Sequence, residues 1–320
     1  MKYLVSGLYV DDSVYQAFRG LESNSDVITV KNNLLYTLIL KISRKISTYM
    51  SNQVLDFIVF PIVYLKFRKY NRKEKIVLFF IESLEALCPA YIRTLKKFFV
   101  NSKTVLFLVN TLDEYEKMKI YVNNVKQEYN LIITCNKKNA LDNNWKYHPD
   151  CYTSIDGYDE HTEVKYDIVF LGAEKGREKI AHDIFEKMVK NGKICNFIIL
   201  GPEKKKYVSP GFRYINKPMP YKDYLKIVSQ SKCILEITPR NESFCTLRTM
   251  EAYTYKKLLL TNNKSISSES FYSPKNIFIY RNADDIDIDF INNKYYEENR
   301  TNPFSTENLL LFIRTELERM

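Results

Sequence analysis

The sequence predicts an α/β protein with two Rossmann-like domains. The first observation is length, because 320 residues are more than one hydrophobic core usually holds. The second is a set of short apolar runs bounded by turn residues, which is typical of strands buried on both faces of a parallel sheet. The third is that segments of helix length separate these runs, as in repeated βαβ units.

The strand pattern is clearest in the second half of the chain. Strands are predicted there at 168–171, 196–200, 233–237 and 257–260. The carboxyl ends of parallel strands, and the helix N-termini that follow them, offer unpaired N–H groups and positive dipole ends. Ligand-binding residues are therefore expected at these junctions.

The junction after the first of these strands contains Gly172 and Arg177. A glycine lets the backbone approach a ligand closely, and an arginine binds a phosphate or a carboxylate through charge-assisted hydrogen bonds. We therefore predict that both residues lie at an anion-binding site.

The loop after the third strand, TPRNESFCTLRTMEA at 238–252, runs into a helix that is expected to begin near Cys245 or Thr246. Free N–H groups, a hydroxyl and two arginines are expected to converge there, which suits a diphosphate. A carboxylate further along the helix is placed to accept both ribose hydroxyls of a nucleotide. The predicted ligand-binding residues of this loop and helix are Arg240, Thr246, Leu247, Arg248 and Glu251.

These parts stand in an order that resembles a known family. FLG with a nearby arginine, FIILGP, MPYKDYL, CILEI, and ESFCTLRTMEA followed by KKLLLTNN resemble the donor-binding domain of GT-B glycosyltransferases over roughly residues 160 to 300. The segment resembles in particular the domain of spore-maturation proteins and bacterial polysaccharide-synthesis enzymes. The resemblance implies that Glu251 binds the nucleotide ribose, that the preceding loop holds the pyrophosphate, and that Glu242 belongs to the donor site.

The donor loop also departs from this family. Many members have a glycine where the present chain has Phe244 and Cys245, so its backbone is expected to approach phosphates less closely. Two functions therefore stay open. The first is a nucleotide-sugar-dependent glycosyltransferase of the hexosyltransferase class, and the alternative is a catalytically silent GT-B-like module that binds a partner or a glycan.

The first half of the chain repeats the α/β pattern. Strands are predicted at 2–6, 26–30, 75–81, 104–110 and 131–135, and helices at 13–20, 33–50, 89–99 and 114–129. The predicted domains are an acceptor domain at 1–155, a nucleotide-sugar donor domain at 156–304, and a terminal helix at 305–320 that packs back on the first domain. A polar connector is predicted at 147–165. The resemblance implies that the two domains face each other across a cleft.

No motif identifies the catalytic base. An inverting enzyme needs a carboxylate or a histidine to take the proton of the acceptor hydroxyl. Asp11 and Asp12, after the first strand, are the best placed by topology, and Glu82, after the third strand, comes next. A retaining enzyme does not need this base, so the stereochemistry stays open.

The amino-acid composition limits the kinds of partner that the protein is expected to bind. The net charge of +10 favours an anionic partner, either a nucleotide diphosphate, a membrane surface or nucleic acid, but no nucleic-acid reader motif is present. The six cysteines are scattered without paired spacing, which is typical of a reducing compartment. The three histidines lack metal-ligand spacing. We therefore expect neither a metal nor another cofactor, and we expect no nucleic-acid partner.

Two segments of the first half fit a membrane surface. An apolar stripe at 33–50 and the basic, aromatic cluster KFRKYNRK at 66–73 are compatible with an anionic bilayer, although an ordinary core-facing helix with a solvated charge run explains them equally well. No segment reaches the length of a transmembrane helix. The sequence predicts a cytoplasmic protein. The resemblance, together with these basic segments, implies a role in bacterial capsule or lipopolysaccharide synthesis with a glycan or lipid-linked acceptor. Peripheral contact with the inner face of the cell membrane stays open.

Overall fold

The computed structural model describes residues 1–8, 17–31, 34–46, 49–83, 85–110, 112–117, 122–154, 158–202, 208–238, 244–293, 296–297 and 302–320. The chain forms two compact units. The first consists of Met1–Thr153 with Pro303–Met320, and the second of Ser154–Asn302. Each unit contains a parallel six-stranded sheet with helices, so the predicted α/β class with two Rossmann-like domains is confirmed.

In the first sheet, the second strand lies on one side of the first strand, and all later strands lie on the other side. Its strands are β1 Lys2–Ser6, β2 Val27–Val30, β3 Ile76–Ile81, β4 Ser102–Leu108, β5 Leu131–Thr134 and β6 Lys146–Tyr147. They lie in the order β2-β1-β3-β4-β5-β6, and every neighbouring pair is parallel. Because β3 is buried along its whole length, its unbroken apolar sequence fits a strand with both faces covered.

The second sheet is also parallel and also grows in two directions, but its strand order differs. Its strands are β7 Tyr166–Ala173, β8 Cys195–Leu200, β9 Phe212–Ile215, β10 Ser231–Glu236, β11 Leu258–Thr261 and β12 Ile277–Ile279. Their order is β12-β11-β10-β7-β8-β9, again with parallel neighbours. Four of the strands match predicted ones. The sequence interpretation missed β9 and β12, because both are short, partly exposed edge strands. Arg213 interrupts the apolar residues of β9, and β12 contains only three residues.

The helices differ from the predicted ones mainly in the first unit. They are α1 Leu34–Ile46, α2 Asn52–Phe67, α3 Pro89–Phe98, α4 Leu112–Lys117, α5 Lys137–Asn143, α6 Glu178–Lys190, α7 Tyr221–Ser229, α8 Leu247–Thr254, α9 Ile288–Asn292 and α10 Thr306–Glu318. Across the described ranges, no helix combines the length and the apolar character that a membrane span requires.

Two helix predictions need correction. The single helix predicted at 114–129 is wrong, because α4 is followed by 3-10 turns at Val122–Asn124 and Lys126–Glu128. Its paired asparagines, Asn123 and Asn124, compete with helical hydrogen bonds and favour turns. The helix predicted at 33–50 is shorter, and α2, which the sequence did not predict, follows it. Residues 9–16, which include the first half of the helix predicted at 13–20, lie outside the described residues.

The first sheet is covered by a hydrophobic core on each face. One face packs against α1, α2 and α3. The other packs against α10, where Leu309 and Ile313 are fully buried. The Tyr3 hydroxyl of β1 donates a hydrogen bond to the Leu310 carbonyl at 3.1 Å. The terminal helix therefore belongs to the core of the first unit.

The predicted polar connector at 147–165 is wrong for its first residues, which are buried in the first unit. His148, Cys151 and Tyr152 are all less than a tenth exposed. The His148 N–H donates to the Thr134 carbonyl at 3.2 Å, and the Tyr152 N–H donates to the Phe304 carbonyl at 2.9 Å. These long-range backbone bonds hold the stretch against β5 and the terminal segment.

Candidate functional site

The second sheet reverses its direction of growth between β7 and β10. These strands are hydrogen-bonded neighbours, but the chain continues from β7 to β8 on one side and from β10 to β11 on the other. In open parallel sheets, ligands bind beyond the carboxyl ends of strands at such a point. Arg177 follows β7, and Thr246 and Arg248 follow β10. The topology therefore brings the predicted residues of both loops to one edge of the sheet.

The loop after β7 ends at Arg177, directly before α6. Lys175 and Gly176 have φ angles of 32° and 76°, so the backbone makes a left-handed turn there. A Cβ atom added at Gly176 would meet nothing within 4 Å. Among the described residues, the buried Nε of Arg177 has no hydrogen-bond partner. This guanidinium and the helix N-terminus give the loop the positive charge that an anion requires.

Gly172 lies inside β7, just before this loop. A Cβ atom at this position would lie 2.6 Å from Cζ of Phe170. The absence of a side chain therefore makes room for the phenyl ring on the same face of the strand. Gly172 contributes to packing behind the loop, and direct contact with a ligand stays a prediction.

The helix after β10 begins where the sequence predicts. Thr246 is the N-cap of α8, and its Oγ1 accepts a hydrogen bond from the Arg248 N–H at 3.1 Å. The same hydroxyl donates to the Glu236 carboxylate, so it is already bound within the protein. Leu247 is the first helical residue and is half-buried.

Glu251 faces the protein interior, although the sequence places it against a nucleotide ribose. Its side chain is 0% exposed. The carboxylate accepts hydrogen bonds from the Tyr221 hydroxyl at 2.6 Å, from the Tyr224 hydroxyl at 3.1 Å, and from Nη1 of Arg248 at 2.7 Å to each oxygen. Burial raises the pKa of Glu251, while Arg248 and the two tyrosines oppose this change. Contact with a ribose would require the carboxylate to exchange one of these partners.

Arg248 is held by the same network. Its guanidinium lies 4.1 Å from the ring centroid of Tyr224, and Nη2 donates to the Leu171 carbonyl at 3.3 Å. Burial lowers the pKa of Arg248, but the Glu251 carboxylate together with Tyr224 and Tyr221 raises it by more, so the net shift is upward. A guanidinium with this many internal partners ties α8 to α7 and to β7. Diphosphate binding by Arg248 stays a prediction.

The sequence interpretation missed Glu236, a second buried carboxylate at the end of β10. Glu236 is 2% exposed, and its oxygens accept hydrogen bonds from the hydroxyls of Thr246, Thr249 and Thr261. The Tyr280 hydroxyl donates to its backbone carbonyl at 2.9 Å. The carboxylate therefore joins β10 to α8 and β11. A glutamate inside the apolar run CILEI was the available signal.

Two asparagines hold the ends of the loop between β10 and α8. The Thr238 N–H and hydroxyl donate to Oδ1 of Asn262 at 2.7 and 2.9 Å, and Nδ2 of Asn263 donates to the Phe244 carbonyl at 3.0 Å. The asparagines belong to the sequence KKLLLTNN. The predicted residues Arg240 and Glu242 lie outside the described residues.

The carboxyl edge of the first sheet contains Glu82, directly after β3. Nδ2 of Asn110, after β4, donates to both carboxylate oxygens at 3.0 Å. The Tyr115 hydroxyl of α4 donates to one of them at 2.5 Å. Glu82 is thus held by neighbouring elements at the edge where it was predicted. Asp11 and Asp12 lie outside the described residues.

Asp150 is a candidate base that the sequence interpretation missed. It follows β6 at the same edge as Glu82, and its Oδ1 accepts the Cys151 N–H at 2.8 Å. Burial and, less strongly, the Glu82 charge raise the pKa of Asp150 to about 7, although the hydrogen bond from the Cys151 N–H opposes the shift. The two carboxyl groups therefore interact. A carboxyl group that titrates near neutral pH suits proton transfer.

The other titratable group of this stretch, His148, has a different role. Its ring packs 5.0 Å from Phe312 and 6.4 Å from Phe107, centroid to centroid. Burial lowers the pKa of His148 to about 4, although a contact with the Pro149 carbonyl opposes the shift. The neutral imidazole belongs to the core. In the described part of the chain, no group of three histidine, cysteine or carboxylate side chains could hold a metal ion.

Comparison with known proteins identifies the second unit. Residues 145–301 match a family model described as glycosyl transferase-like. Similar solved structures include a protein described as a UDP-N-acetylglucosamine 2-epimerase from Listeria monocytogenes, with a TM-score of 0.51, 8% identity, and coverage of 99% of this chain and 96% of that chain. MurG from Acinetobacter baumannii has a TM-score of 0.41, 9% identity, and coverage of 98% and 100%. No curated protein matches the sequence.

The family match concerns the second unit, and the likeness to the epimerase concerns the fold alone. This likeness, at 8% identity, agrees with the GT-B fold class predicted from the sequence. The family match covers nearly all of the second unit, so the resemblance inferred from the sequence is confirmed. Residues 145–301 are thus similar to the glycosyl transferase-like family.

Proposed function

We propose that the chain is a hexosyltransferase that moves a sugar from a nucleotide-sugar donor to an acceptor hydroxyl. The glycosyltransferase-like domain at 145–301 supports the reaction class. The observation that carries the donor proposal is the loop after β7. In the described residues, the buried Nε of Arg177 has no hydrogen-bond partner there, directly before a helix N-terminus. A diphosphate offers the negatively charged acceptor oxygens that suit this arrangement.

In the proposed reaction, the bond between the anomeric carbon and the diphosphate oxygen breaks, and the diphosphate leaves with the electron pair. Arg177 and the N-terminus of α6 stabilise the charge that develops on it. We assign Arg248 a positioning role, because Glu251 already binds its guanidinium at 2.7 Å. The proposal involves neither a metal ion nor another cofactor, since fixed positive charge from the protein serves the leaving group.

The proposed base for an inverting reaction is Asp150. The acceptor oxygen attacks the anomeric carbon and transfers its proton to the carboxylate of Asp150. The interaction with Glu82 and the burial that raises the pKa of Asp150 to about 7 suit this step, because a general base works best with a pKa near the operating pH. A retaining reaction would not depend on Asp150, so substitution of Asp150 distinguishes an inverting from a retaining reaction.

We further propose a cytoplasmic setting in bacterial surface polysaccharide synthesis. The sequence resemblance supports the pathway class, with a glycan or a lipid-linked acceptor. The net charge of +10 supports peripheral contact with the anionic inner face of the cell membrane. Nucleic acid is not proposed as a partner, because the sequence lacks a reader motif.

A catalytically silent binding module is the second candidate. The burial of Glu251 favours this candidate. Its side chain is 0% exposed, and internal donors bind both carboxylate oxygens. Such a protein would bind a nucleotide or a glycan without transferring a sugar. Release of the nucleotide from a sugar nucleotide, above the rate without protein, would exclude this candidate.

The donor proposal is tested by calorimetric titration of UDP, GDP, CMP and dTDP into the full chain without added metal. One nucleotide diphosphate is expected to bind, and Arg177→Ala is expected to weaken it roughly 10- to 100-fold, as for a charge-assisted hydrogen bond. Lys179→Ala is the matched control, because Lys179 is exposed on the same helix. If no nucleotide binds the wild-type chain, or if Arg177→Ala binds as tightly, the donor proposal fails.

A further inference from the structure

The exposed apolar side chains of this protein are concentrated on one small part of the first unit. Nineteen large hydrophobic side chains are exposed in the described residues, and nine of them lie between residues 38 and 65. Tyr49 is 88% exposed and Phe57 is 80% exposed. We call these nine residues the α1–α2 face: Leu38, Ile42, Tyr49, Met50, Val54, Phe57, Phe60, Tyr64 and Leu65.

Helix α2 is apolar on both its inner and outer sides. Leu55, Val59, Val63 and Phe67 follow one another at four-residue spacing and are buried in the core of the first unit. The outer side carries exposed apolar residues where a surface helix of a soluble protein normally carries polar ones. An apolar surface of this kind usually marks an interaction site.

The same region carries most of the net charge of the chain. Residues 31–73 contain nine lysines and arginines and a single acid, Asp56, which gives +8 of the total of +10. Asp56 is buried, and its carboxylate binds Arg93 and Lys97 of α3 at 2.8 Å each. These partners lie outside the region, so Asp56 is neutralised internally and does not offset the surrounding positive charge.

The basic residues accompany the apolar ones. Lys41 and Lys45 are exposed on α1, and Arg68 and Lys69 are exposed directly after the last turn of α2. Exposed aromatic and aliphatic side chains beside lysine and arginine suit the interface of an anionic bilayer, where the apolar groups enter the headgroup boundary and the basic groups meet lipid phosphates. A second copy of the chain would bring like charges together, and nucleic acid offers no surface for aliphatic side chains such as Leu65.

We propose that the α1–α2 face is a docking surface for an anionic phospholipid bilayer. The proposal deepens the peripheral contact named under the proposed function and rests on it. The helices lie on the bilayer and do not cross it, because the inner side of α2 is fixed to the protein core and Asp56 holds α2 to α3. Docking would bring the first unit to lipid-linked acceptors.

The proposal is tested by cosedimentation of the full chain with vesicles of phosphatidylcholine alone, and with vesicles that also contain phosphatidylglycerol. Binding is expected only to the anionic vesicles and is expected to weaken with added salt. Phe57→Ser with Leu65→Ser is expected to reduce binding at least tenfold. Lys41→Glu with Lys45→Glu is expected to reduce it at least about thirtyfold, since each basic residue near the surface contributes roughly fivefold.

Two control variants keep the test specific. Leu311→Ser removes an apolar side chain that is 64% exposed on α10, and Lys179→Glu reverses an exposed charge on α6. Both are expected to bind vesicles like the wild type. Equal binding to both kinds of vesicle, no binding, or unchanged binding of the Phe57→Ser, Leu65→Ser variant would overturn the proposal. So would a dimer in sedimentation equilibrium that the same variant dissociates, because a second copy would then cover the face.

The outcome can be separated from that of the donor proposal. The Phe57→Ser, Leu65→Ser variant is expected to bind the nucleotide diphosphate with wild-type affinity, because α2 and Arg177 belong to different units. Loss of vesicle binding with intact nucleotide binding therefore concerns the docking surface alone. Vesicle binding without any nucleotide binding would instead defeat the donor proposal and leave the docking surface in place.

Discussion

Asp150 of the first unit is held differently from Glu236 and Glu251 of the second unit, and also from Glu82 at its own sheet edge, which accepts three side-chain hydrogen bonds from Asn110 and Tyr115. In the second unit, Glu251 and Glu236 are both buried, and side chains donate at least three hydrogen bonds to each. In the first unit, Asp150 receives a hydrogen bond from its neighbouring N–H at 2.8 Å, and its pKa is raised to about 7. A carboxylate with many donors fixes its neighbours in place. A carboxyl group with few donors keeps its affinity for a proton, which is the property that a base needs.

Substitution of Asp150 is expected to have the largest effect on the transfer rate. Asp150→Asn keeps the shape of the side chain and removes the base, so we expect the transfer rate to fall by roughly 100- to 10,000-fold. Initial rates with the donor identified by calorimetry measure the loss. Asp113→Asn is the control, because Asp113 is exposed on α4 in the same unit. A rate for Asp150→Asn close to that of Asp113→Asn would contradict the assignment.

Glu251 should behave as a structural group. Glu251→Gln leaves the buried Arg248 guanidinium facing a neutral amide, and we expect a loss of roughly 3 kcal/mol in the free energy of unfolding. Urea denaturation measures it. Asp223→Asn removes only the exposed pair with Lys226 on α7, and we expect a change below about 1 kcal/mol. Equal stability of the two variants would show that the Glu251 network does not hold the helices together.

Glu236 should matter less to stability than Glu251. Glu236→Gln replaces one acceptor oxygen by a donor, so one of its threonine hydroxyls must turn away. Its binding partners are neutral hydroxyls, and we expect a loss of roughly 1 to 2 kcal/mol. The same urea experiment applies. A loss larger than that of Glu251→Gln would reverse the ranking and would identify Glu236 as the more important buried carboxylate.

The raised pKa of Asp150 also makes the stability of the protein depend on pH. The folded protein raises the pKa of Asp150 from 3.8 to about 7, so the folded state binds this proton more tightly than the unfolded state does. The contribution of Asp150 to stability is therefore complete below pH 3.8 and is lost as the pH rises through about 7. Thermal midpoints of the wild type minus those of Asp150→Asn should decline over this window. A flat difference would contradict the shifted pKa.

The same titration has the opposite effect on the rate. In the proposed inverting reaction the carboxylate form of Asp150 acts as the base, so the transfer rate should increase as the pH rises through about 7. A pH–rate profile measured with saturating donor checks this, and the rate at pH 8 should be roughly tenfold that at pH 6. A rate that is independent of pH across this window would favour a retaining mechanism.

Local sequence patterns were sufficient to predict most of the fold. The apolar runs predicted the central strands, and the polar loop before Thr246 predicted the start of α8, because strand burial and helix capping depend on neighbouring residues. Helix α2 was missed because Asp56 and Pro61 interrupt an apolar run. Asp56 is tolerated there because Arg93 and Lys97, on another helix, bind its carboxylate.

The chemistry of the site depended on contacts that local patterns do not reveal. The sequence could place Glu251 on α8, but it could not show that Tyr221 and Tyr224 of α7 bind its carboxylate. Asp150 stands in a stretch that has the polar composition of a loop, yet the stretch is fixed by backbone bonds to β5 and to Phe304. The pKa of Asp150 follows from that packing and from Glu82, so it required the tertiary structure.

The central claim is that the second unit binds the donor and that the first unit supplies the proton acceptor. The most direct test is the affinity of the identified nucleotide diphosphate for Asp150→Asn and Arg177→Ala, measured by calorimetry on folded full-length protein. We expect wild-type affinity for Asp150→Asn and a loss of at least about tenfold for Arg177→Ala. Loss of affinity in Asp150→Asn, with retention in Arg177→Ala, would contradict this division of roles.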